Sequence, residues 1–235
     1  MYFTIKINFY TIKIYIYIYS TYMCFNANVS LSTFLLGSVF SIILIHQKTP
    51  KYIAENTTIG IFFIFISLIQ LMDFFFWIDL KNAIGLNKLT TIIGPLLNMG
   101  QPTILYLIKY FYYKPTLMTL KNNNLGVATL NILYAILLGY KYITFLKNDN
   151  LVTGTKNGHL SWPWMKYSMP LFYLILFAIN IFYLSDFKYA SFVFLITYFF
   201  LILSRIYFKY NTGELWCFFG AFIPAIMVFF NWMEQ

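Results

Sequence analysis

Two short stretches place polar side chains among residues that are otherwise apolar. In "SLIQLMDFFFWID", Gln70 and Asp73 are three apart; in "GPLLNMGQP", Asn98 and Gln101 are three apart, between Pro95 and Pro102. On a helix that spacing puts each pair on one face. A carboxylate in hydrocarbon costs roughly 3 kcal/mol on insertion scales, so Asp73 is expected to face other helices or water. Without compensation it neutralises itself by binding a proton, and beside a cation it stays charged. Arg205 is the partner the sequence offers, because its guanidinium is always charged and can grip a carboxylate through two hydrogen bonds. The chemistry is therefore proton or ion binding, or else a hydrogen bond that only ties helices together. The residue types leave both readings open.

A second set joins the first if the chain crosses a membrane an odd number of times. Glu214 in "TGELWC", Arg205, and His159, Trp162 and Trp164 in "NGHLSWPW" then share the end of the molecule nearest Asp73 and Asp79. Together they read either as a polar vestibule or as an interfacial aromatic belt with ordinary loop charges. Cys24 and Cys217 fall at that same end, as a disulfide if it faces an oxidising compartment and as free thiols otherwise. The two histidines, His46 and His159, fall at opposite ends and cannot share a zinc ion. HExxH, GxSxG and phosphate-cradling glycine loops are absent from the sequence, and a lysine suited to retinal is absent from the last apolar run. Asp73 and Asp79 are six apart, on poorly matched helix faces. No catalytic residue, metal or cofactor is expected.

The elements that position these residues follow from composition. The 235 residues are 60% hydrophobic and 10% charged, with 27 Phe and 21 Tyr, and the mean hydropathy is +0.70. Soluble domains carry roughly 25% charged residues, so only a bilayer can solvate this surface. Apolar runs at about 30–46, 58–80, 91–113, 125–146, 168–186, 189–208 and 214–233 are each long enough to cross roughly 30 Å of hydrocarbon. The expectation is an all-α polytopic bundle of seven helices, the third bent by its two prolines. The weakest boundary is "SDFK" at 185–188; without a turn there, the fifth and sixth runs fuse and the count drops to six. The net charge of +9 is spread over lysines in the loops, which suits anionic headgroups rather than nucleic acid. Assigning Lys109 to the loops of one end and Arg205 to the other, the basic residues divide almost evenly, so orientation is not set.

Residues 3–19 alternate apolar and polar with a period of two, a strand pattern without a partner strand. Residues 1–22 are therefore expected to be a doubtful N-terminal extension, and 23–235 a single transmembrane domain starting at Met23. "MCFNANVSLSTFLLG", "ISLIQLMDFFFW", "GPLLNMGQP", "GHLSWPW" and "GELWCFFGAFIP" together resemble a family of multi-pass membrane proteins of large DNA viruses and some microbial eukaryotes. That resemblance implies a start at Met23 and a host or virion membrane, and carries over no catalytic residue. The leading functional expectation is a small-solute or ion transporter, channel or receptor-like module with a polar cavity formed by Gln70, Asp73, Asn98, Gln101, Arg205 and Glu214. A structural protein of a viral or virus-modified membrane is the alternative, and an intramembrane enzyme the third reading. The bilayer and an unidentified small solute or ion are the expected partners.

Overall fold

The computed structural model describes residues 26–112, 120–156, 158–207 and 212–234. The expected N-terminal extension, and Cys24 with it, lie outside them. The fold is all-α apart from one small hairpin: α1 (Ala27–His46), α2 (Ile53–Ile78), α3 (Leu86–Met99), α4 (Gln101–Tyr112), α5 (Leu120–Asn148), β1 (Gly154–Lys156), β2 (His159–Ser161), α6 (Pro170–Phe182), α7 (Phe187–Tyr207), α8 (Thr212–Gly220) and α9 (Ile223–Met233). Among the described residues, five helical stretches are long and apolar enough to cross a membrane, and Pro170–Phe182 is a shorter apolar helix. The chain is a membrane protein.

The expected seven runs become more than seven helices because two of them break. The third run divides at Gly100, two residues before Pro102, which has no N–H to offer the Asn98 carbonyl. The last run divides at Ala221–Phe222, and Pro224 then sits in the first turn of α9, where a missing N–H costs nothing.

The first helix is inside out relative to those of a soluble protein. On α1 the buried positions are Ser30, Thr33, Gly37, Ser41 and Leu44, while Leu35, Val39, Ile42 and Ile43 are exposed. Small and weakly polar residues let backbones approach closely in lipid, where apolar side chains gain nothing by turning inward. A Cβ on Gly60 would come within 2.8 Å of the Ser41 carbonyl, and one on Gly37 within 2.4 Å of Ser67 Oγ. Serine and threonine hydroxyls along the bundle return to their own helices, as Ser67 Oγ does to the Phe63 carbonyl at 2.8 Å.

Polar contacts gather the helix ends into two groups. At one end, Asn56 accepts from Tyr189 Oη at 3.0 Å and from Asn231 Nδ2 at 2.8 Å, and donates to the Gln47 carbonyl at 3.2 Å. The "SDFK" boundary is a genuine turn at this end. Leu184 takes a left-handed backbone, φ 55°, Asp186 Oδ1 caps α7 by accepting from Lys188 N and Tyr189 N, and Glu55 Oε1 accepts from Asp186 N at 3.1 Å. Lys109, expected among loop charges, is fully buried here. Its ammonium donates to the Ile181 and Tyr183 carbonyls and to Ser185 Oγ, so it caps the C-terminus of α6, where carbonyls lack helical partners.

At the other end, Asp79 accepts from the backbone N–H groups of Ala83 (2.7 Å), Ile84 (3.3 Å) and Asn87 (3.1 Å). Asn87 in turn clamps Thr153 from both sides: Asn87 Nδ2 donates to the Thr153 carbonyl at 2.9 Å, and Thr153 N donates to Asn87 Oδ1 at 2.8 Å. This clamp fixes the base of the β1–β2 hairpin, in which Lys156 stands opposite His159.

Candidate functional site

The hairpin carries His159 inward against the start of α8. His159 Nδ1 lies 3.6 Å from Glu214 Oε2, and both side chains are buried. Asp73, on α2, is 1% exposed, and its charge and that of Glu214 act on each other. Two carboxylates from different helices are thus buried within reach of each other's charge. Asp73 Oδ1 and both Glu214 oxygens lack a hydrogen-bond partner among the described residues. Among the described residues, His159 is the only basic side chain within ion-pair distance of Glu214, and no Lys or Arg lies within that distance of either carboxylate.

The surroundings of the pair come from four more positions. Trp162, just after β2, turns its indole toward Asp73 but stops short of full hydrogen-bond geometry. Gln70, one turn before Asp73 on the same helix, is 1% exposed with both amide atoms unpartnered. Gln101, the first residue of α4, accepts from Tyr173 Oη on α6. The Cys217 thiol, one turn beyond Glu214, lies against Gln101 and feels both carboxylates. Beside Gln101 and Cys217 is a cavity of about 10 Å³, also bordered by Thr197, Trp216, Phe62 and Phe177. That is room for about one water molecule.

The break at Gly100 is what brings Gln101 into this position. The Met99 carbonyl at the break accepts from Tyr134 Oη at 2.8 Å, and the Pro102 carbonyl from Asn180 Nδ2 at 2.8 Å. Side chains from α5 and α6 thereby satisfy backbone groups that the bend would leave bare in lipid.

Of the residues singled out in the sequence, Gln70, Asp73, Gln101, Glu214, His159 and Trp162 meet in one region. Asn98 is buried on α3, with no hydrogen bond to either carboxylate among the described residues. Arg205 is not the partner of Asp73: it is exposed on α7, and the group that faces Asp73 is a second carboxylate. Asp79 is not part of the cluster either, because its oxygens are taken up by its own loop. Trp164 is fully buried rather than interfacial; it stacks on Trp162 with ring centroids 5.4 Å apart and planes 13° apart. Cys217 is buried, and its expected partner lies outside the described residues. Tyr173 carried no sequence signal, being one of 21 tyrosines.

Outside the bundle core, Asp149 accepts from Tyr167 Oη at 2.5 Å and pairs with Lys166. Although burial alone would raise it, the Lys166 ammonium and the Tyr167 hydroxyl hold this carboxyl below the ordinary carboxylate range.

No protein family, curated protein or solved structure matches the chain in comparisons with known proteins.

Proposed function

We propose that the chain is a multi-pass membrane protein that binds and moves a small ion at the Asp73–Glu214 pair. The observation that carries this reading is the burial of two carboxylates that act on each other, without a lysine or arginine among the described residues within ion-pair distance of either. Such a pair is costly unless a proton or cation is shared between them, and in membrane proteins ionisable residues of this kind mark ion routes. The two groups of helix ends support seven crossings, with α3 and α4 forming one and α8 and α9 another. The cavity bordered by Gln101 and Cys217, one turn beyond Glu214, favours an ion over an organic solute, because it admits about one water molecule.

A structural role in a viral or virus-modified membrane is the second reading. The observation behind it is the Asn56–Tyr189–Asn231 and Lys109 network, whose members chiefly satisfy one another and the helix ends. Ion flux into vesicles carrying the full chain separates the two. The ion-binding reading expects a flux that Asp73→Asn reduces at least tenfold while the protein still folds. Equal flux in wild type, variant and protein-free vesicles would leave the structural role.

A further inference from the structure

We infer that the ion held at the Asp73–Glu214 pair is a proton, exchanged with the hairpin end of the bundle through His159. The inference rests on the small-ion reading above and names its substrate. The donor and acceptor inventory around the pair decides it. A metal cation such as calcium or magnesium needs six or more oxygen ligands, and even a tolerant site must present oxygens from several directions. Here, among the described residues, no three His, Cys, Asp or Glu side chains are grouped so as to hold a metal ion. The indole N–H of Trp162 faces Asp73, the imidazole of His159 faces Glu214, and Cys217 borders the same cavity as Gln101. Of the two amide oxygens in these surroundings, that of Gln101 already accepts from Tyr173, and that of Gln70, one turn before Asp73, is unpartnered. Two buried carboxylates with unpartnered oxygens and no further grouped ligand among the described residues can share a proton, which needs only one oxygen and no coordination shell.

His159 supplies the exchange step. Its imidazole is the group of the cluster nearest the hairpin surface, with 10% of its side chain exposed against 2% for Glu214. As imidazolium it can release a proton from nitrogen to a Glu214 oxygen: the N–H bond breaks, the O–H bond forms, and a cation and an anion become two neutral groups. Asp73 then competes with Glu214 for that proton, since like charges this close cannot both remain ionised. The titratable groups facing the pair are His159 from β2, Cys217 from α8 and Tyr173 beyond Gln101 from α6. On the other side the cavity next to Gln101 and Cys217 is closed mainly by Phe62, Phe63, Ile66, Phe177 and Ile223, with Thr197 the further hydroxyl in its wall, so His159 is the exposed edge of the cluster. The pair is therefore reached from the hairpin end.

Infrared difference spectroscopy on the full chain in lipid vesicles tests this directly. The expected result is a protonated-carboxylic-acid carbonyl band that titrates with pH and is unchanged when sodium, potassium or calcium is added at constant pH. Asp73→Asn and Glu214→Gln should each remove or shift it. His159→Gln should keep the band and slow its appearance after a pH jump at least tenfold. A band that changes on adding one of the metal cations would overturn the proton while leaving the small-ion reading intact, and this arm needs no variant. A carboxyl signal insensitive to pH, to cations and to both substitutions would overturn both readings.

Discussion

Lys109 Nζ lies 2.9 Å from the Tyr183 carbonyl, 2.6 Å from the Ile181 carbonyl and 2.7 Å from Ser185 Oγ, so all three of its protons are committed. A lysine used up in this way is a cap for α6 and the fastening of the 183–186 turn. It is not a mobile charge. Lys109→Met would leave the last carbonyls of a buried helix unpaired, and we expect it to cost about 3 kcal/mol, the range seen when one partner of a buried charged interaction is removed. Thermal unfolding in detergent reads this out. The exposed Lys188, paired with Glu234 at 2.7 Å, is the control: Lys188→Met should leave the midpoint unchanged, as exposed pairs contribute little. Equal effects of the two substitutions would refute the capping role.

Glycines give opposite predictions according to what surrounds them. A Cβ at Gly94 would come within 2.5 Å of Trp164 Cη2, and the ring is itself wedged among Phe76 and Phe145. Gly94→Ala should therefore destabilise the fold and disturb the Trp162–Trp164 stack that borders Asp73. Gly139, inside α5, meets nothing within 4 Å; Gly139→Ala should be neutral or stabilise by about 0.5–1 kcal/mol through helix propensity. Unfolding midpoints together with tryptophan fluorescence distinguish the two sites.

The membrane class, the helical runs and most of the polar cluster were legible in the sequence because each depends on local pattern. Asp73 and Gln70 share a face by spacing alone, and Glu214 and His159 joined them through the alternation of helix ends. What stayed hidden depends on contacts far apart in the chain. Lys109 looks like a loop lysine because its partners are carbonyls more than 70 residues away, and carbonyls have no signature in side-chain identity. Arg205 looked like a partner because a guanidinium suits a carboxylate, yet it sits on the exposed side of α7. The hairpin did have a signal: Asn-Gly at 157–158 is a favoured turn dipeptide, and Gly158 has φ 79°. An otherwise apolar chain and an all-helical expectation concealed it.

The proposed seven crossings make a definite statement about loops. Lys48 and Lys188 lie with the Asn56–Asn231 end, and Lys88 and Lys156 with the hairpin end; all four are exposed. Single cysteines placed at these positions in a background lacking Cys24 and Cys217 should label from opposite sides of a sealed vesicle, two and two. Labelling of all four from one side would mean that the bundle does not span the membrane as proposed.

Asp79 connects acid stability to the geometry of the cluster. Burial works against its charge, but the backbone N–H groups of Asn87, Ile84 and Ala83 outweigh that and hold its carboxyl below the ordinary range. A folded-state value below the unfolded one, about 3.9 for Asp, means stability that is fully present above that pH and lost as pH falls through the folded value. Asp149 titrates in the same direction, so acid sensitivity alone does not isolate Asp79; the difference between wild type and Asp79→Ala does. That difference should be largest at neutral pH and shrink toward zero as the carboxyl protonates. Because Asp79 binds Asn87 N, and Asn87 clamps Thr153 at the base of the hairpin, the substitution should also loosen His159 from Glu214. Hydrogen exchange at Leu160 and Ser161 should therefore rise in Asp79→Ala at neutral pH, and in wild type only on acidification. Unchanged exchange in the variant at neutral pH would show that the hairpin is held by Trp162 and Trp164 packing rather than through Asp79.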